Sequence, residues 1–139
     1  MLSINLIGLL VADITCSVKF YCKAFGFEVV QKKAICGDGN WRAFLKRGET
    51  VIELTQFKDD SAAPLDGAID HIAFFVEDLE AEIERLERSG VDLHMHAEIP
   101  HHISLRTIKQ VKNGRFFYFR GPDGELIGLV ELSAGGSFL

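Results

Sequence analysis

Two stretches of the chain repeat the same order of apolar and polar positions. The stretch "LIGLLVAD" spans residues 6–13 and "HIAFFVED" spans residues 71–78. Each is an apolar run that closes on an aspartate, which predicts a β-strand leading to the N-cap of a helix. The segments "ITCSVKFYCKAFG" and "LEAEIERLERSG" follow at once. Both have apolar residues at helical spacing and a glycine where a helix C-terminus is expected.

The repeat continues through three further strands in each half. The stretches "GFEVV" and "GVDLH" predict the strand after each helix, and "WRAFLKRGETVIEL" and "GRFFYFRGPDGELIGL" predict hairpins that turn at their Arg-Gly pairs. Each half is therefore predicted to be a βαβββ module. We expect a single domain over residues 1–139, with a first module at 1–57, a polar linker at 58–68 and a second module at 69–135.

Composition limits the class of protein and its partners. The chain has 139 residues, of which 47% are hydrophobic, and this suffices for a sizeable core. Its net charge of −5 argues against a nucleic-acid partner, which usually requires a basic surface. No apolar run reaches the roughly 18 residues of a membrane span. The N-terminus has no basic leader and is interrupted by Asp13, which predicts a strand entering a helix rather than a signal peptide. The three cysteines lack metal-type spacing and indicate reduced thiols in a cytoplasmic protein.

The doubled module resembles the vicinal-oxygen-chelate superfamily. The stretches "VADITCSVKFYCKAFGFEV", "VIELTQF", "DHIAFFVEDLEAEIERLERSGV" and "FRGPDGELIGLVEL" carry the resemblance, which covers nearly the whole chain. The superfamily includes glyoxalase I, methylmalonyl-CoA epimerase, extradiol dioxygenases and the bleomycin- and fosfomycin-resistance proteins. The resemblance implies an α+β fold in which two tandem βαβββ modules form one curved eight-stranded sheet around a cleft, with the helices outside. It also implies a homodimer.

The resemblance further implies where a metal would bind. In the metal-dependent members the ligands come from the first and last strands of each half, and the corresponding positions here are Leu6, Glu53, His71 and Gly128. Only Glu53 and His71 keep ligand chemistry. The stretch "HMHAEIPHH", residues 94–102, is a histidine-rich loop, and a third ligand would have to come from it, as His101 or His102. The expected cofactor is therefore none, or a weakly bound divalent ion such as Zn, Ni, Co, Mn or Fe.

Strand alternation predicts which side chains share a face with Glu53 and His71. This face is mostly apolar and consists of Leu6, Leu10, Val51, Thr55, Ala73, Phe75, Gly128 and Val130. Gly128 is expected to leave extra room there. Arg42 and Arg115 are interpreted as matching positions of the two halves, where they either hold an anionic substrate group or lie at solvated strand ends. Trp41 and Tyr118 are further candidates, and the sequence does not fix the face that either one occupies.

Three functions are compatible with these residues. The first is a small-molecule-binding protein of the bleomycin-resistance type, with a degenerate metal site centred on Glu53 and His71. The second is a metal-dependent lyase or isomerase resembling glyoxalase I or the epimerase, in which the metal polarises a carbonyl and Glu53 moves the proton. The third is a metal-free enzyme that uses Glu53 and His71 for acid–base catalysis.

Overall fold

The computed structural model describes residues 6–33, 39–58, 69, 71–101 and 103–136. The chain divides into two compact units, Met1–Pro64 and Leu65–Leu139. Each unit contains one helix and one four-stranded sheet in the order βαβββ, so the predicted α+β fold of tandem modules is confirmed. The eight described strands are hydrogen-bonded as two sheets of four. The predicted linker lies almost wholly outside the described residues, and its limits stay a prediction.

The first unit consists of β1 (Leu6–Leu10), α1 (Ile14–Phe25), β2 (Glu28–Lys33), β3 (Trp41–Arg47) and β4 (Thr50–Gln56). Its strands are ordered β1-β4-β3-β2, with β1 and β4 parallel and the other pairs antiparallel. Asp13 is the N-cap of helix α1, and its carboxylate accepts the Cys16 N–H at 3.0 Å. The helix ends at Gly26, which adopts the left-handed conformation with φ of +68°.

The second unit consists of β5 (Ile72–Phe75), α2 (Leu79–Arg88), β6 (Lys109–Val111), β7 (Gly114–Arg120) and β8 (Leu126–Leu132). The order β5-β8-β7-β6 repeats that of the first unit, again with one parallel pair. Asp78 caps α2 by accepting the Ala81 N–H at 2.9 Å. In each module a second side chain, from the last strand, accepts the first N–H of the helix. The side chain of Gln56 accepts the Ile14 N–H, and that of Glu131 accepts the Leu79 N–H, both at 2.8 Å.

Each unit has its own core between the helix and one face of the sheet. In both units the helix contacts the two strands that form the hairpin. The first core is built from Ile14, Phe20, Tyr21, Ala24, Phe25, Ala43, Leu45, Ile52 and Leu54, and the second from Leu79, Leu86, Phe117, Phe119, Ile127 and Leu129. No helix among the described segments is long and apolar enough to cross a membrane.

The prediction of a strand at "GVDLH" is wrong. This stretch and the residues after it form consecutive turns, with Met95 N–H donating to the Asp92 carbonyl and Ala97 N–H to the His94 carbonyl. The Asp92 carboxylate also accepts the His94 N–H at 2.8 Å, which bends the chain immediately after the helix. The strand that pairs with β7 is instead β6, about fifteen residues further along the chain.

Candidate functional site

Strand register groups the predicted site residues on one face of each sheet. In the first unit Gly8 lies opposite Glu53, and in the second Ala73 lies opposite Gly128. Residues directly opposite one another in neighbouring strands point to the same side of a sheet. The other pairs on these faces are Leu10 with Thr55 and Phe75 with Val130, and the backbone of Leu6 is in register with Val51. The two faces are therefore equivalent parts of the repeat, and we call them the site faces.

The site face of the first unit carries an ion pair. The Arg42 Nε lies 3.3 Å from the Glu53 Oε1, and the two side chains are 24% and 27% exposed. Register places Arg42 opposite Thr55 and Phe44 opposite Glu53, so all of them belong to this face. The opposite charges of Arg42 and Glu53 compensate each other, and Lys46, opposite Val51, adds a further charge to this face.

The site face of the second unit carries a phenol and an imidazole. The Tyr118 hydroxyl lies 3.4 Å from the His71 Nε2, and the two rings meet edge to face with centroids 5.2 Å apart. Tyr118 lies opposite Gly128 in the β7–β8 register. This register places Tyr118 on the same face as His71, a position that sequence alternation alone did not fix.

The room expected at Gly128 is already filled. A Cβ built on Gly128 would lie 2.6 Å from the Tyr118 Cε1 and 3.1 Å from its Cζ, closer than non-bonded carbons approach. The Tyr118 ring therefore packs directly on the Gly128 backbone. The expectation of open space at Gly128 is therefore wrong. The missing side chain accommodates the Tyr118 ring rather than a ligand.

Arg42 and Arg115 do not occupy matching positions. Arg115 lies opposite Glu131, on the helix side of its sheet, and the counterpart of Arg42 in the register is Phe116, opposite Val130. The Arg115 guanidinium binds Glu80 at 2.7 Å and Glu131 at 2.9 Å. These hydrogen bonds lower the pKa of both carboxyl groups and raise the pKa of Arg115. Two carboxylates already hold this guanidinium, so we leave Arg115 out of the candidate site.

Trp41 also lies on the helix side of its sheet. It stands opposite Gln56, the residue whose side chain accepts the first N–H of α1. Its indole is 38% exposed. Tyr118 is therefore the one of these two candidates that the structure adds to a site face.

The histidine-rich loop has local contacts of its own. The His96 Nε2 lies 2.8 Å from the Pro122 carbonyl oxygen, and the His101 Nδ1 accepts the Ile103 N–H at 3.1 Å. His102 lies outside the described residues. A metal-ligand role for His101 or His102 stays a prediction.

The described residues do not form a complete ligand set at the family's metal positions. Leucine at position 6 and glycine at position 128 provide no donor atom, and Glu53 is bound to Arg42. A second group with metal-like spacing consists of Asp78, Glu80 and Glu131. Arg115 already forms ion pairs with two of these three carboxylates, Glu80 and Glu131, so this group is an ion-pair network at the start of α2.

The site faces also expose apolar surface. Phe75 is 70% exposed and Leu10 is 38% exposed, whereas Val130 beside Phe75 is buried. Exposed aromatic and aliphatic groups beside a few polar ones are typical of surfaces that bind small molecules or other proteins.

Comparison with known proteins gives one consistent result. The family model described as glyoxalase/bleomycin resistance protein/dioxygenase superfamily matches residues 3–129. The Bacillus subtilis protein YwbC is 33% identical over 124 residues, covering 86% of this chain and 90% of its own length. A glyoxalase family protein from Enterococcus faecalis has a similar structure, with a TM-score of 0.73, 22% identity and coverage of 93% and 97%.

A second solved structure shows a relative with ligands. It is a mutant of the fosfomycin resistance protein FosX from Listeria monocytogenes, complexed with Mn(II) and 1S,2S-dihydroxypropylphosphonic acid. The TM-score is 0.69 with 17% identity, and the match covers 96% of this chain and 92% of FosX. At this identity the similarity concerns the fold.

Proposed function

Because this chain belongs to the glyoxalase, bleomycin resistance protein and dioxygenase superfamily, we propose that it binds a small molecule at a site that does not depend on a resident metal ion. The residues proposed to act in binding are Glu53, paired with Arg42, in the first unit and His71 in the second. The other residues proposed on the two site faces are mostly apolar: Leu6, Leu10, Val51, Thr55, Ala73, Phe75, Gly128 and Val130.

The donor set carries this proposal. Divalent ions are held firmly by three or more protein ligands, whereas the four family positions contain only Glu53 and His71 as donors. The Arg42 guanidinium lies 3.3 Å from the Glu53 carboxylate, and a metal ion approaching that carboxylate would be repelled by a cation already in place. These two features favour binding of an organic molecule over metal chemistry.

A metal-free acid–base enzyme is the second candidate. The 3.4 Å approach of the Tyr118 hydroxyl to the His71 Nε2 favours it, since both groups can donate and accept protons. We favour a binding protein because the partner of Glu53 is Arg42, whose guanidinium stays protonated. The Glu53 carboxylate is therefore engaged in an ion pair rather than open to a reacting group of a substrate.

A metal-dependent lyase or epimerase resembling glyoxalase I is the less favoured alternative. It requires a third ligand from a loop histidine or from a partner chain. The FosX structure with Mn(II) is a member of the same fold with metal, at 17% identity to this chain. For this chain we expect at most a weakly bound divalent ion.

A ligand screen by thermal shift tests the proposed function. We expect some uncharged or weakly polar small molecules to raise the melting temperature in the presence of EDTA, by preferential binding to the folded state. Phe75→Glu, on the exposed site face, should abolish these shifts. Val29→Glu is the control, because Val29 is a 44% exposed apolar residue opposite Leu45, on the other face of the first sheet. If stabilisation appears only when a divalent metal is added, the proposal is wrong.

We also propose that the protein is a cytoplasmic homodimer. The chain has three cysteines without metal-type spacing, which supports a reducing compartment. Sedimentation velocity should give twice the mass of one chain at micromolar concentration. A monomer under these conditions would contradict the dimer without affecting the proposed ligand site.

A further inference from the structure

We infer that the first unit holds a second ligand site, a cavity that binds a free α-amino acid. The cavity has a volume of about 300 Å³ and lies where the end of α1, the start of β2 and the β3–β4 turn meet. Its lining residues are Gly26, Glu28, Val30, Lys46, Arg47 and Gly48, and we call it the hairpin cavity. None of the residues proposed above to bind a ligand lines it, so the inference goes beyond the proposed function and does not depend on it.

The end of α1 fixes Arg47 at the wall of the hairpin cavity. The Arg47 Nη1 donates a hydrogen bond to the carbonyl of Phe25, the last residue of the helix. Gly26 also lies against the guanidinium, since a Cβ built on it would stand 3.4 Å from the Arg47 Nη1 and 3.7 Å from its Cζ. A guanidinium has five N–H donors, and the bond to Phe25 uses one of them. Arg47 is therefore held in place and still able to bind an anion.

Glu28 and Lys46 bring opposite charges to the same cavity. They stand directly opposite each other in the antiparallel pairing of β2 with β3, where opposite charges can attract across the strands. Among the described residues, however, neither the Glu28 carboxylate nor the Lys46 ammonium group forms a hydrogen bond or an ion pair. Both side chains are exposed and both line the cavity. The cavity therefore offers one anion and one cation to a ligand, in addition to Arg47.

This set of charges matches a small zwitterion. Lys46 and Arg47 together favour an anionic group, and Glu28 favours a cationic one. An α-amino acid carries a carboxylate and an ammonium group on one carbon atom, so it can bind groups from both strands at once. In this assignment the ligand carboxylate accepts hydrogen bonds from Lys46 and Arg47, and the ligand ammonium group donates to Glu28. A simple anion would instead be repelled by Glu28, and a simple amine by the two cations.

A β-bulge adds an apolar side chain to the cavity. The pairing of β2 with β3 shifts between Val29 and Gln31, so Val30 is an extra residue in its strand. Bulges re-aim a side chain and are frequent next to functional sites. Val30 is 58% exposed and lines the cavity together with the charged groups. The preferred amino acid therefore has an aliphatic side chain, which packs on Val30.

Three matched probes test the inference. Leucine has both charged groups, isoamylamine lacks the carboxylate, and isocaproic acid lacks the ammonium group. Each is titrated into isotope-labelled protein and followed by NMR at neutral pH and low ionic strength, because salt screens exposed charges. Leucine should shift the backbone amide signals of residues 26–30 and 46–48. Its affinity should be about tenfold higher than that of either analogue, the effect of one charge-assisted hydrogen bond.

Two variants assign the charged groups, and two others serve as controls. Lys46→Met should remove most of the preference for leucine over isoamylamine, and Glu28→Gln should remove the preference for leucine over isocaproic acid. Lys109→Met and Glu77→Gln change exposed residues of the second unit and should keep both preferences. All four side chains are exposed, so each variant should fold, and its amide spectrum checks this.

Four results would contradict the amino-acid site. Equal affinity for the three probes overturns recognition of a zwitterion. Preferences that survive both Lys46→Met and Glu28→Gln overturn the assigned contacts. Leucine-induced shifts confined to residues 51–55 and 71–75 place the ligand on the site faces and overturn the hairpin cavity as its site. Absence of any shift with leucine near its solubility limit overturns the inference and leaves the proposed function, which is tested with uncharged molecules, unaffected.

Discussion

Gly128 acquires a different meaning once its neighbour is known. In the sequence it is a position from which a metal ligand is missing, and an apparent gap in the site. In the structure the Tyr118 ring packs on it. The sequence predicts that Gly128 occupies a ligand position of the family without supplying a ligand. The packing of Tyr118 on Gly128 depends on which face of β7 carries Tyr118, and only the pairing of β7 with β8 determines that face.

Substitution of this glycine should be costly. We expect Gly128→Ala to lower the free energy of unfolding by about 1–3 kcal/mol, because the added methyl overpacks against the Tyr118 ring. Gly8→Ala should be neutral or slightly stabilising, since alanine restricts the unfolded chain and meets open space. Urea unfolding of both variants measures the difference. Equal effects of the two substitutions would show that Tyr118 does not rest on Gly128.

At the scale of elements, the helices are predictable and one strand is not. Asp13 and Asp78 cap the helices as their sequence positions predict, because an aspartate before an apolar helical pattern has few other roles. The segment after α2 has alternating apolar residues, which favour a strand. The Asp92 carboxylate accepts the His94 N–H, and this local hydrogen bond competes with strand pairing. The chain therefore turns at this point.

The stability of the fold should depend on pH in the acid range, because Arg115 binds two carboxylates at the start of α2. Arg115 lowers the pKa of Glu80 and Glu131, so the ionised carboxylates stabilise the fold above the ordinary carboxyl value of 4.5. This stabilisation is lost as the pH falls through the lowered values in the folded state. Arg115→Gln should therefore melt below the wild type at neutral pH, with a gap that shrinks below about pH 4.5.

The matched control lies at the other end of the same helix. Arg88 is 3.9 Å from Glu84, and both side chains are about 70% exposed. Arg88→Gln should change the melting temperature little at any pH. If its curve against pH matches that of Arg115→Gln, then the Glu80–Arg115–Glu131 network has no special stabilising effect.

Arg120 joins the histidine-rich loop to the β7–β8 hairpin. Its buried guanidinium donates to the Gly124 carbonyl at 2.6 Å and to the Pro100 carbonyl at 3.2 Å. Arg120→Leu should cost about 2–5 kcal/mol, because both carbonyl groups lose a charged donor. Hydrogen exchange should speed up between residues 94 and 106 more than in α1. Uniform exchange across the chain would contradict an anchoring role.

At the scale of the whole chain, two modules of the same fold carry different side chains on their site faces. The registers make Glu53 equivalent to Gly128 and Arg42 equivalent to Phe116. One module thus presents an ion pair, and the other presents Tyr118 beside His71. The repeat is visible in the sequence because core and caps require the same residue types in both halves. The chemistry is less predictable, because pairing across strands decides which side chains meet.

Metal binding tests the central claim most directly. After expression and dialysis without chelator, elemental analysis should find well under one equivalent of Zn, Ni, Co, Mn or Fe per chain. Calorimetric titration with Zn²⁺ should show only weak binding, because Glu53 is paired with Arg42 and two family positions have no donor atom. Near-stoichiometric metal that survives dialysis, and that His71→Ala removes, would contradict a metal-independent site.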